Sequence, residues 1–261
     1  MRRYLLASTA LTSTTLLTGA AWAADMPLKA PPKVAPIPFS WSGCYAGVNA
    51  GGAFTSIDQN IAIPGIFTID NGGHQTSFIG GGQLGCNWQV DPRWVLGIEG
   101  DIDYLHASRT QNFFRTTSLF GTEEFVGSQQ TTVHWLGTAR ATLGYAWDRV
   151  LYYATGGLAF GRVDSSAAVA VPELTGSPLF AGSDSATRLG WTAGGGVKYA
   201  ITDRITGKVE YLYFDLGNDN YNVQILGSTA NIPAGFPTTW LASAHVSGNI
   251  VRVGIDVKLG P

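Results

Sequence analysis

From Trp41 onward apolar and polar positions alternate with a period of two, in eight blocks. In the first, Cys44, Ala46, Val48 and Ala50 share one face, and Tyr45, Gly47, Asn49 and Gly51 share the other. The second sets Phe78, Leu84, Cys86 and Trp88 against Gln83, Asn87 and Gln89, and the third sets Trp94, Leu96, Ile98, Ile102 and Tyr104 against Glu99, Asp101 and Asp103. The fourth opposes Trp135, Leu143, Tyr145 and Trp147 to Thr138, Arg140 and Thr142. The fifth opposes Tyr152, Leu158 and Phe160 to Tyr153 and Thr155. Leu189, Trp191, Val197 and Tyr199 face away from Arg188, Thr192 and Lys198 in the sixth. Ile205, Val209, Tyr211 and Tyr213 face away from Thr206, Lys208 and Glu210 in the seventh, and the last sets Val251, Val253, Ile255, Val257 and Leu259 against Arg252, Asp256 and Lys258. Strict alternation over such lengths predicts strands rather than helices.

Alternation alone also suits a soluble sandwich or a lipocalin-like barrel. Two further features favour a membrane. Aromatic residues of the apolar face gather at the block ends: Trp88, Trp94, Trp147 and Tyr199 at one end, and Phe54, Phe78, Tyr104, Trp135, Phe160, Trp191 and Tyr213 at the other. Two such girdles around a band of Ala, Val, Leu and Ile describe a lipid-facing wall. Connections also alternate, short at 90–93, 148–149 and 201–204, long at 55–74, 106–131, 164–187 and 217–245. The expected fold is all-β: an eight-stranded antiparallel transmembrane β-barrel with short periplasmic turns and long outer loops.

The N-terminal part breaks the pattern. Arg2 and Arg3 precede a mildly apolar stretch, and Ala21-Trp22-Ala23 suits signal-peptide cleavage, with a cut after Ala21 as the alternative. Residues 1–23 are expected to be a cleaved signal peptide. Residues 24–39, with five of the twelve prolines, read as an extended periplasmic tether, leaving 40–261 as the barrel. Charged residues make up only 13%, against about 25% in soluble domains. Net charge is −2 with no basic cluster, which argues against nucleic acid as a partner.

Trp41-x-Gly43-x-Tyr45-x-Gly47-x-Asn49, Gly82-Gln83-x-Gly85-x-Asn87-Trp88-Gln89 and Gly97-x-Glu99-Gly100-Asp101 occur in order. Trp135-Leu136-Gly137-Thr138-x-Arg140, Leu143-Gly144-Tyr145-Ala146-Trp147-Asp148-Arg149 and Lys208-Val209-Glu210-Tyr211-Leu212-Tyr213 follow. With these motifs the chain resembles the small porin-like outer-membrane barrels of alphaproteobacteria, often labelled outer membrane immunogenic proteins. The resemblance covers nearly all of 40–259. It implies outer-membrane lipids, lipopolysaccharide and the barrel assembly machinery as partners. One departure is the ending Leu259-Gly260-Pro261, where such barrels usually end in an aromatic residue.

Parity sends eleven charged residues into the lumen: Glu99, Asp101, Asp103, Glu210 and Asp256, with Arg140, Arg188, Lys198, Lys208, Arg252 and Lys258. A near-balanced set in a narrow bore reads as a plug of paired charges. Registers centred on the long connections put Arg140 opposite Glu99 and Arg252 opposite Glu210. Cys44 and Cys86 share outward parity on adjacent strands, so an exported chain could join them in a disulfide. The four histidines fall at the outer ends, with His74 and His106 facing outward and His134 inward, too dispersed for a ligand set. No catalytic arrangement, cofactor or metal site is expected, and the pattern assigns no oligomeric state. The reading is a surface barrel that stabilises the envelope. The alternatives are a narrow porin for small solutes, or a haemin-like ligand binder acting through the outer loops.

Overall fold

The computed structural model describes residues 39–63, 67–117, 123–172, 179–226 and 237–260. The expected signal peptide, and the tether up to Pro38, lie outside the described residues. Eight strands follow in chain order: β1 (Gly43–Ile63), β2 (Phe67–Gln89), β3 (Trp94–Thr117), β4 (Glu123–Trp147), β5 (Val150–Ala170), β6 (Leu179–Ala200), β7 (Ile205–Leu226) and β8 (Thr239–Leu259). Each pairs antiparallel with its sequence neighbour, and β1 pairs with β8 to close the ring. In its lower half all eight ladders are continuous, the cross-strand pairing that a hydrocarbon surround demands.

The strands run well beyond the expected bounds. Most of 55–74, 106–131, 164–187 and 217–245, expected as loops, is paired strand. The physical reason is an exchange of faces. In lower β1 the outward residues are Cys44, Ala46, Val48, Ala50 and Phe54, and the inward ones include Tyr45 and Asn49. Past Phe54 the inward residues become Ile57, Ile61 and Ile63, while Ser56, Asp58 and Asn60 turn outward. β7 does the same past Tyr213, with Asn218, Asn220 and Asn222 outside and Tyr221 and Val223 inside. The molecule therefore has two storeys: a lower one clad in apolar side chains, and an upper one built like a water-soluble barrel with its apolar residues in the core.

The aromatic residues assigned to the girdles mark the limits of the lower storey. From Cys44 to Phe54 a strand climbs about 33 Å along its axis, or about 25 Å along the normal at a tilt near 40°, the height of a lipid-facing band. The upper storey continues for roughly another 20 Å.

Above the band two ladders fail. The β2–β3 ladder ends at Ile79↔Leu105 among the described residues, and the β6–β7 ladder is interrupted between Trp191↔Asp215 and Ala181↔Gln224. The seams lie four strands apart in a ring of eight, hence opposite one another. The upper storey is thus two facing sheets, β3 to β6 and β7-β8-β1-β2. Arg109 crosses the first seam, Nη2 donating to the Gly72 carbonyl at 3.1 Å. Arg188 crosses the second to Asp219. Between the sheets Phe180 stacks on Trp240 at 3.9 Å in an apolar layer with Phe125, Ile61 and Val223. A second apolar layer, including Leu105, Leu136, Leu212, Phe214 and Ile250, lies lower, at the top of the apolar band.

Two bulges reset parity. In β4 the register shifts at His134, so this residue faces outward rather than inward as its parity predicted. Its ring lies 5.9 Å from that of His106. In β7 the register shifts beside Gly217, whose φ of 72° lies in the left-handed region that glycine adopts without a Cβ penalty.

Candidate functional site: the lumen charge cluster

Below the lower apolar layer, nine of the eleven charged residues assigned to the lumen meet in one cluster: Glu99, Asp101, Asp103, Arg140, Lys198, Lys208, Glu210, Arg252 and Asp256, all buried. They stand on β3, β4, β6, β7 and β8, and the ring closure brings together residues up to 151 positions apart. Glu99 and Arg140 are cross-strand partners, as are Glu210 and Arg252.

Arg140 is the hub on one side. Its Nη2 lies 2.7 Å from both Glu99 Oε1 and Asp101 Oδ2, and its Nη1 lies 2.9 Å from Glu210 Oε1. Arg252 is the hub on the other, with Nη1 2.5 Å from Asp103 Oδ2 and Nη2 2.9 Å from Asp101 Oδ2 and 2.6 Å from Glu210 Oε2. Lys208 Nζ reaches Glu99 Oε1 at 2.9 Å, and Lys198 Nζ reaches Glu99 Oε2 at 3.0 Å and Asp256 Oδ2 at 3.3 Å. Charges taken out of water are tolerable only with such multiple pairing. Glycine makes the room: a Cβ at Gly51 would lie 2.6 Å from the Arg252 Cα.

Alternation did not single out two further members. Tyr45 donates to Glu99 Oε2 at 2.6 Å and Tyr153 to Glu210 Oε1 at 2.8 Å. Their signal was present, because both aromatics sit at polar parity with a hydroxyl to place.

Arg188 and Lys258 do not join the cluster. Arg188 sits a storey higher, at the β6–β7 seam with Asp184 and Asp219. Lys258 lies at the short-turn mouth, where Nζ donates to the Ser40 carbonyl at 3.3 Å. That mouth is filled by the chain entering β1: Trp41 packs with Val95, Leu151 and Ala200, and its indole N–H donates to the Asp148 carbonyl at 3.2 Å. Cys44 and Cys86 are register partners on β1 and β2, joined through their sulfurs. Among the described residues no group of three or more His, Cys, Asp or Glu is arranged to hold a metal ion.

The family described as "Outer membrane protein beta-barrel domain" matches residues 12–231. The chain belongs to this family. Among curated relatives of this outer membrane β-barrel, the 31 kDa outer-membrane immunogenic protein of Brucella melitensis biotype 1 is 40% identical, the match covering 99% of this chain and 100% of the relative. The 25 kDa outer-membrane immunogenic protein of Brucella abortus biovar 1 is 30% identical over 78% of this chain and 80% of that one. Among solved structures, the outer membrane protein OprG of Pseudomonas aeruginosa aligns with a TM-score of 0.43 and 10% identity, over 86% of this chain and 100% of that chain. Family and named relatives place the protein in the outer membrane, so the apolar band faces lipid, and the short turns face the periplasm as in other such barrels.

Proposed function

We propose that this barrel is a closed structural element of the outer membrane, stabilising the envelope and presenting its upper storey to the outside without conducting solutes. The observation that carries the reading is the filling of the bore. From the periplasmic side a solute would meet Trp41 with its apolar neighbours, then the charge cluster, then two apolar layers separated by the buried Gln59, Gln129 and Thr131. An eight-strand barrel has an interior that side chains just fill. Each buried ion in the cluster has fixed partners, so a hydrated ion passing through would have to break pairs costing several kcal/mol each.

The test is planar-bilayer recording with the protein purified from outer membranes. The expected trace shows no steady ohmic current under an applied potential. A reproducible single-channel conductance from wild type would replace this reading by a narrow pore for small solutes.

A further inference from the structure

On the outer wall of β4, β5 and β6, just above the aromatic girdle, lies a polar depression of about 600 Å³. Two cross-strand rows make its floor. One runs Thr132, Asp164, Ser185 and the next runs Gln130, Ser166, Ser183, each residue paired in register with its neighbour. With about 4.8 Å between strands and about 7 Å between rows, the floor has the footprint of a pyranose ring. The bulge that turns His134 outward brings its imidazole to the rim, with Nε2 2.8 Å from Asp164 Oδ2. Beneath the floor, on the inner face of the sheet, Asp184 pairs in register with the buried Ser165 and is held by Arg188 Nη2 at 2.5 Å. Behind that pair the β6–β7 ladder is interrupted, and the buried Asp219 Oδ2 and Arg188 Nε have no hydrogen-bond partner among the described residues.

The lining selects a ligand class. The floor's carboxylate, Asp164, is already paired with Arg162 at 3.2 Å, so little net charge is left to draw an ion, and a floor of hydroxyls and an amide offers little to an apolar molecule. Carboxylate, amide and hydroxyl groups together offer both acceptors and donors at close spacing, which suits a neutral polyol. Position adds a second argument. Trp135 and Phe160 of the outer girdle lie below His134 and Asp164 with Arg162 between, so the depression opens at headgroup height, where the outer leaflet of an outer membrane carries carbohydrate.

We propose that this depression binds a polyhydroxylated sugar, supplied by the glycan headgroup of a neighbouring outer-leaflet glycolipid or as a free saccharide. The site is on the outside of the wall, so it stands whether or not the lumen conducts.

Calorimetric titration of the full barrel in detergent tests it, using oligosaccharide released from lipopolysaccharide by mild acid and a panel of free monosaccharides. Saturable binding is expected in wild type and in Ser247→Leu, on the opposite wall. Asp164→Asn should weaken it about tenfold, the size of one lost hydrogen bond to a charged group. Ser185→Leu, which fills the floor, should abolish it. Heat-modifiable gel mobility reports folding, and a Gln130→Ala/Ser183→Ala double variant with the same expected loss replaces any variant that fails to fold. Binding of the oligosaccharide alone identifies a glycolipid source, and binding of monosaccharides as well identifies free-sugar capture. Absence of saturation with either probe, or parental binding in the folded floor variants, overturns the proposal.

Discussion

Arg252 and Glu210 differ in how replaceable they are. Glu210 shares its neighbours Arg140 and Lys208 with Glu99, whereas Arg252 is the only base within 4 Å of Asp103 among the described residues. Removing one partner from a buried ion pair costs about 3–5 kcal/mol. Arg252→Gln should therefore fall at the upper end, because it strands Asp103, and Glu210→Gln at the lower end. The double variant should cost less than the sum, and urea unfolding of the refolded barrel reads all three. Single variants as stable as their parent would mean that water screens the cluster. Parity along single strands was enough to send these side chains inward, because a period of two leaves only two directions. It could not give height. Whether Arg188 meets Glu210 or Asp219 depends on strand tilt and stagger, which no local pattern encodes.

An element in this barrel changes character along its length without changing conformation. The apolar outer face of β1 was legible because Val48 and Phe54 obey one rule, and the reading stopped at Thr55 because the rule inverts there. Ile57, Ile61 and Ile63 continue the alternation in the opposite sense, as a soluble sheet would. His134 was misplaced for a related reason: a bulge inserts one residue and shifts every later parity, and its sequence carries no proline or glycine to announce it. The inversion predicts opposite tolerances within one strand. Val48→Arg, in the lipid-facing band, should cost about 2–4 kcal/mol in vesicles. Asp58→Arg, outward on the same strand but above the girdle, should stay within about 0.5 kcal/mol. Equal costs at the two positions in urea titrations would contradict the two-storey assignment.

At the scale of the whole molecule the closed ring of the lower storey and the two sheets of the upper storey should differ in how they open. Amides at a seam lack the cross-strand bonds that protect the rest. Hydrogen exchange on the intact barrel should therefore be faster in 68–78 and 107–117 than in 79–89 and 95–105, where the same two strands are laddered. Uniform protection along β2 and β3 would show the seam to be closed in solution. The exchange of faces at the girdle has a mechanical consequence too. Like the load line painted on a hull, it fixes the draught of the barrel. Sinking by one pleat would push Ser56, His106, Arg162 and Asp215 into hydrocarbon, and Arg162 alone would resist with up to a few kcal/mol, less near the interface than at the midplane. Rising by one pleat would lift Leu259, Trp88 and Tyr199 out of the lower interface. A bilayer too thick or too thin for this distance cannot be met by the protein riding up or down. The lipid has to stretch or compress around it.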